Sequence, residues 1–315
     1  MVKLTRHPYQ NEADYWRIRN FLRDVFLLNG RLEHSWNVAR LDYWRWHFVA
    51  NCGFGGSVDN ATMLWESDHG ELIAVLTNFG GGELRLHVHP RFRNAELEGD
   101  MLACAEELYA EMINDGRRFL ILPIFSDDFL RQEIAVRCGF EKRPGWNHHY
   151  QRDLEAPLPD MAVPSGYTIR SMGTENEHPA RSWASWRAFH ADEPDENYDG
   201  DYSWYRNIQS APLYRRDLDV VAAAPDGSLA SFCTIYYDDY TRSAVTVLVG
   251  TAAEHWRRGL GKAVVIEGMR RLKQLGCTRV FATAAEEPAD ALYCSVMQTH
   301  LVTDTWVKIW NRNRT

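Results

Sequence analysis

The chain has 315 residues, 45% hydrophobic and 25% charged, an ordinary globular balance that at roughly 100–200 residues per domain suggests two domains. Its formal net charge of −8 argues against a nucleic-acid backbone as main partner, because proteins that neutralise phosphates carry a basic surplus. No stretch approaches the ~20 apolar residues of a membrane span, and the N-terminal MVKLTRHPYQNEADYW lacks the apolar core of a signal peptide, so a cytoplasmic protein without a membrane partner is expected.

In chain order, Leu4-Thr5-Arg6 opens the first half. Glu83–Val88 alternates apolar and polar residues like a strand. Leu97, Met101, Ala105, Leu108 and Met112 make a helical stripe, Gly116 ends it, and 119–125 reads as a buried strand. The stretch 155–166 holds Pro157, Pro159 and Pro164 without periodicity and reads as a linker. The same order then returns. Thr168-Ile169-Arg170 answers Leu4-Thr5-Arg6, and 182–189 is an apolar helix. The segment 244–250 is a strand, and a helix runs from about Gly261 to Leu275 with Val265, Met269 and Leu272 on one face. Gly276 stands where a helix C-cap belongs, and Arg279–Ala284 is a buried strand. Gly116 and Gly276 lie 160 positions apart. This internal repeat predicts a first domain over 1–155, a linker over 156–165 and a second domain over 166–315, each mixing helices with strands around one sheet.

Between the second-half strand and helix lies Arg257-Arg258-Gly259-Leu260-Gly261-Lys262. Glycine there lets the backbone turn tightly and approach a ligand with no Cβ in the way. The first amides of the next helix have no internal partner and, with the helix dipole, attract an anion. Arg257, Arg258 and Lys262 add positive charge, so the expected ligand group is a phosphate or pyrophosphate. A Walker loop is excluded because Ala263 follows Lys262 and position 256 is tryptophan. A dinucleotide fingerprint is excluded because Val264 stands where its third glycine belongs. Taken alone, the loop also fits a plain glycine turn flanked by basic residues.

The surroundings resemble the GNAT superfamily of N-acetyltransferases, which carries (Arg/Gln)-x-x-Gly-x-(Gly/Ala) after its fourth strand. Here the string is Trp256-Arg257-Arg258-Gly259-Leu260-Gly261: both glycines match and Trp256 departs from the pattern. Val249-Gly250-Thr251, Leu272-Lys273-Gln274-Leu275-Gly276 and Ala289-Asp290-Ala291-Leu292-Tyr293 extend the resemblance over most of 166–310. It implies an α/β fold of two tandem GNAT-like domains, each a mixed sheet flanked by helices. By the same resemblance, backbone amides of Arg257, Arg258, Gly259, Leu260, Gly261 and Lys262 bind the pyrophosphate of acetyl-CoA. The strand at Leu248, Val249 and Gly250 pairs with the pantetheine arm. Tyr293 is the acid that protonates the departing thiolate, a transfer that a phenol of pKa ~10 can make to a thiol of pKa ~8.5.

Three features depart from the family. Glu286 replaces a frequent asparagine, Met297-Gln298 stands in place of Gly-Phe, and 244–250 contains no carboxylate to act as base. Asp238 and Asp239, just before that strand, are candidate bases or amine anchors, against the plainer reading of a turn pair; a water chain could also carry the proton. In the first half the loop position reads His89-Pro90-Arg91-Phe92-Arg93-Asn94-Ala95, without Gly-x-Gly. Ala135 stands where the tyrosine should, counting back from Cys138-Gly139-Phe140. A degenerate first domain and a working second one are expected, similar to tandem enzymes of the mycothiol synthase kind.

His87 and His89 share a strand face and His148-His149 are adjacent, but no Cys, Asp or Glu stands at ligand spacing, so no metal is expected. The cysteines Cys52, Cys104, Cys138, Cys233, Cys277 and Cys294 are scattered and read as reduced thiols, mostly small buried hydrophobes. The stretch 190–205, HADEPDENYDGDYSWY, sets six carboxylates among tyrosines and Trp204, which would suit a cationic acceptor. The expected function is transfer of an acetyl group from acetyl-CoA to the amine of a small molecule by direct attack. The alternative is a non-catalytic acyl-CoA or metabolite-binding protein, favoured by the missing base, Trp256 and the lost Gly-Phe.

Overall fold

The structure, a computed structural model, describes residues 4–311. It divides into two compact units, one running to His148 and resuming at Leu301, the other spanning 149–300.

In the first unit β1 (Leu4–Pro8) leads into α1 (Glu12–Leu28), whose start is capped by Asn11 accepting from the Ala13 amide. Short helices α2 (Val38–Tyr43), α3 (Ala50–Cys52) and α4 (Val58–Ala61) follow, with a π-helical stretch at Trp44–Val49 after α2. Strands β2 (Thr62–Ser67), β3 (Leu72–Gly80) and β4 (Glu83–Val88) form an antiparallel meander with β1. Then come α5 (Ala95–Leu108), a short β5 (Glu111–Met112), β6 (Arg117–Phe125) parallel to β4, α6 (Phe129–Arg137) and β7 (Glu141–Asp153), inside which the division falls.

The second unit repeats the order. It runs β8 (Thr168–Ser171), α7 (His178–Phe189), α8 (Ser203–Gln209), β9 (Asp219–Ala223), β10 (Leu229–Asp238), β11 (Ser243–Thr251), α9 (Leu260–Gln274), β12 (Arg279–Ala284) and α10 (Glu287–Val296). Strands β8 to β11 pair antiparallel in sequence, and β12 pairs parallel to β11. Val265, Met269 and Leu272, expected on one face of α9, are fully buried and join a core with Val220, Ala222 and Ile235 of the sheet. Burial of each such side chain contributes roughly 1.5–3 kcal/mol. The helix lies so close to β10 that a Cβ on Gly268 would stand 2.3 Å from Ile235 Cδ1.

Three expectations change. The sequence places the final strand β13 (Thr299–Asn311) in the second domain, but it pairs antiparallel with β6 from Thr303↔Phe125 to Asn311↔Arg117 and puts Trp306 into the first unit's core. The stretch 155–166 has no regular structure, yet Leu158 and Met161 pack on the second unit's core, so it is a laid-down segment of that unit. Met112 and Gly116 do not continue the α5 stripe. Met112 is exposed in β5, and Gly116, at φ +84°, turns the chain into β6 with its amide bonded to Ile113 O.

Candidate active site

The site in the second unit starts from a fault in the sheet. Strand β11 pairs with β12 at Ser243↔Arg279, Ala244↔Val280 and Val245↔Phe281, and there the ladder ends. On its other edge, Thr246 opposes Ile235 and Leu248 opposes Thr234, so Val247 is an extra, bulged residue. The strand's burial changes at the same place: Ser243 to Thr246 are buried, and Val247 to Thr251 only partly. Leu248, Val249 and Gly250 therefore lie on the stretch of β11 beyond its ladder with β12.

At the end of this stretch the chain turns into α9. Arg257 at φ +59° and Gly259 at φ +79° are both left-handed, and Gly259 caps the helix without a side chain to bond its first amides. Among the described residues, no acceptor meets the amides of Arg257, Arg258, Gly259, Leu260, Gly261 or Lys262. Arg257, Arg258 and Lys262 likewise have no carboxylate partner among the described residues. The result is a row of backbone donors without acceptors in a segment that carries three cationic side chains, an arrangement that suits an anion. Gly261 faces inward, where a Cβ would meet Thr251 Oγ1 at 3.2 Å. Trp256 has a definite place: its Nε1 donates to Thr251 O at 2.7 Å and ties the loop to the end of β11, while half the indole stays exposed.

Tyr293 is 5% exposed on α10, and Thr246 Oγ1 donates to its hydroxyl at 3.4 Å, next to the bulge. Its ring packs against Tyr150 at 6.0 Å, and Tyr150 Oη donates to Asp290 Oδ1 at 2.6 Å. Burial first, then Asp290, pushes the Tyr150 phenol above its ordinary pKa. No local pattern in the sequence marks Thr246, Tyr150 and Asp290, which come from β11, β7 and α10 and meet Tyr293 or each other only in the folded unit.

The two acidic candidates lie elsewhere. Asp238 is fully buried at the tip of the β10–β11 hairpin, where it accepts from Thr241 N at 3.1 Å and Thr241 Oγ1 at 2.7 Å; Asp239 is exposed beside it. That carboxylate holds a turn. In the acidic stretch, Asp195 pairs with Arg187 at 3.1 Å and Asp201 accepts from Ser203 N at 2.8 Å at the start of α8. Among the described residues no group of three or more His, Cys, Asp or Glu is placed to hold a metal ion.

Residues 180–295, which include β11, the loop and all of α10 but its last residue, match the model of the acetyltransferase (GNAT) family. That match lies within the second unit. Across the whole chain the fold is similar to a GCN5-related N-acetyltransferase from Sphaerobacter thermophilus, at 18% identity and a TM-score of 0.65, covering 98% of this chain and 97% of that one. It is also similar to a tandem GNAT protein from the clavulanic acid biosynthesis pathway, at 15% identity and a TM-score of 0.63, covering 98% of each. Saccharomyces cerevisiae N-myristoyltransferase, solved with myristoyl-CoA, shares the fold at 10% identity and a TM-score of 0.55, over 98% of this chain and 79% of that one. No curated protein matches at the same stringency. The fold is thus a tandem GNAT fold.

The first unit of this tandem treats the corresponding loop differently. Asn94 caps α5 and accepts from the amides of Glu96 and Leu97 at 3.0 Å each, filling with its own oxygen the place an anion would take. Glu96 and Glu98 put negative charge in the first turn. Arg93 bonds Glu98 and Asp128 at 2.6 Å, and Arg131 bonds Glu98 at 2.7 Å, bolting the start of α5 to the start of α6. Burial opposes ionisation of Glu98, but Arg131 and Arg93 outweigh it and hold the carboxyl below its usual range.

Proposed function

We propose that the second unit is an acetyl-CoA-dependent N-acyltransferase that acetylates the amine of a small molecule by direct attack, and that the first unit is a degenerate copy. One observation carries this reading: the unsatisfied donor row at Arg257–Gly259–Lys262 opens onto the same splayed strand, β11, that leads to Tyr293. The pyrophosphate fits that row because nothing among the described residues caps it and Gly259 adds no Cβ beside it. The thioester supplies an activated acetyl carbon.

The chain's residues do the rest. The amides of Gly259, Leu260, Gly261 and Lys262 hold the anionic end, and the β11 edge at Leu248–Val249–Gly250 aligns the arm and offers donors to the acetyl oxygen. The neutral amine forms the new C–N bond as the C–S bond breaks. Tyr293 Oη gives its proton to the departing sulfur and is reprotonated from solvent. Asp238 is left to the hairpin, and the amine's proton goes to solvent or a water chain.

The test is an amine-library assay with wild type and Tyr293→Phe. Loss of a positioned acid predicts a fall in kcat of roughly 10²–10⁴-fold with little change in acetyl-CoA affinity. An unchanged kcat would remove Tyr293 from the chemistry. Binding of acetyl-CoA with no turnover of any amine would favour a sensor instead.

A further inference from the structure

We infer that the acceptor amine also carries a carboxylate, and that Arg181 on α7 holds it. The inference rests on the acyl-transfer reading above and deepens it by naming the substrate class. Arg181 is 0% exposed, and its Nε, Nη1 and Nη2 are all buried without a hydrogen-bond partner. Its guanidinium carbon lies 3.5 Å from the ring centroid of Phe232, 5.2 Å from Tyr205 and 5.9 Å from Trp204. One turn earlier His178 is buried as well, with Nδ1 unpartnered. The buried carboxylate of this region, Asp219, is already engaged by Thr234 Oγ1 at 2.9 Å, Tyr214 Oη at 3.0 Å and Tyr205 Oη.

A guanidinium carries five N–H donors, and here they sit inside a shell of rings. Cation–π contact offsets only part of that desolvation. The planar fork matches a carboxylate by two parallel hydrogen bonds. The position also fits the reaction. Phe232 pairs with Gly250, and a Cβ on Gly250 would stand 2.4 Å from Phe232 Cζ, so one ring touches both Arg181 and the β11 edge. A carboxylate on Arg181 would leave the amine of the same molecule toward β11. The ammonium form of that amine suits the acidic stretch 190–205 that precedes and begins α8. Two bonds hold this cover over Arg181, Ser182 Oγ to Asp201 O at 2.7 Å and Trp204 Nε1 to Ser182 Oγ at 3.0 Å, and both would have to open for the substrate to enter.

The experiment compares amino acids with their carboxamides, pairs that keep the amine and lose the carboxylate. Wild type, Arg181→Met and Arg181→Lys are assayed for turnover, and acetate and the same pairs are tested as ligands by thermal shift. The expected result is a preference for the carboxylate member of at least about tenfold in kcat/KM, lying mainly in KM. Arg181→Met should lose that preference with acetyl-CoA affinity unchanged by calorimetry, and Arg181→Lys, which keeps charge but not the fork, should retain part of it. If Arg181→Met does not fold, the Lys variant and the wild-type pairs decide. Equal use of the carboxamides, or a preference that survives in Arg181→Met, overturns the inference. If no amine turns over, acyl transfer fails, while a wild-type Tm raised by the carboxylate members or acetate and unmoved in Arg181→Met still supports the anion site. Absence of that shift overturns it.

Discussion

Trp256 occupies the position where the family pattern has arginine or glutamine, and its indole bond to Thr251 O gives it work that does not require a charge. Loss of one such bond costs about 1 kcal/mol, so Trp256→Ala is expected to weaken acetyl-CoA binding about fivefold, read by calorimetry; unaltered affinity would mean the loop is held without it. In the first unit, His87 is fully buried, and burial, then Arg131 and Arg85, lower its pKa to about 3. The unfolded chain, with a histidine near ~6.5, takes up a proton that the folded chain refuses. Stability from this group is complete above the unfolded value and falls as pH drops from there toward 3. The Tm of wild type should therefore drop between pH ~7 and ~5 by more than that of His87→Leu, and parallel curves for the two proteins would contradict this. The sequence shows only that His87 shares a strand face with His89; it does not show that Trp36, whose amide donates to His87 Nδ1 at 3.3 Å and whose ring lies 4.9 Å away, covers it.

At the scale of elements, the difference between the two units lies at two helix starts. Helix α5 is capped by Asn94 and carries Glu96 and Glu98, whereas α9 starts at Gly259 with φ +79° and no cap. Gly259→Val would force a β-branched residue into the left-handed region, a strain of about 1–3 kcal/mol that moves the amides. At least a tenfold loss of acetyl-CoA affinity with unchanged far-UV circular dichroism is expected; full affinity would place the anion elsewhere. Much of this was legible in sequence. The glycine loop, the apolar stripe of α9 and strands β4 and β12 are local patterns, and local patterns survive folding. The bulge at Val247, the end of the β11–β12 ladder at Val245↔Phe281 and the Asn94 cap are set by what a segment meets across the sheet or at its own turn, and no periodicity encodes them. Gly116 misled for the same reason: a glycine after a helical stripe fits a helix end and a β-turn equally, and the pairing of β5 with β6 decides.

For the whole molecule, the repeat was readable from the order of its elements, but the ownership of the last strand was not, since β13 pairs with β6 some 180 residues earlier in the chain. The two units are unequal: one has an open donor row beside β11, the other has that place filled by Asn94 and bolted by Arg93, Glu98, Asp128 and Arg131. Calorimetry of the full chain with acetyl-CoA tests this most directly, with Gly259→Val as the control. The expected result is saturable binding at one site per chain, abolished or weakened at least about tenfold in the variant. No heat at millimolar ligand, two sites per chain, or full binding in the variant would contradict it.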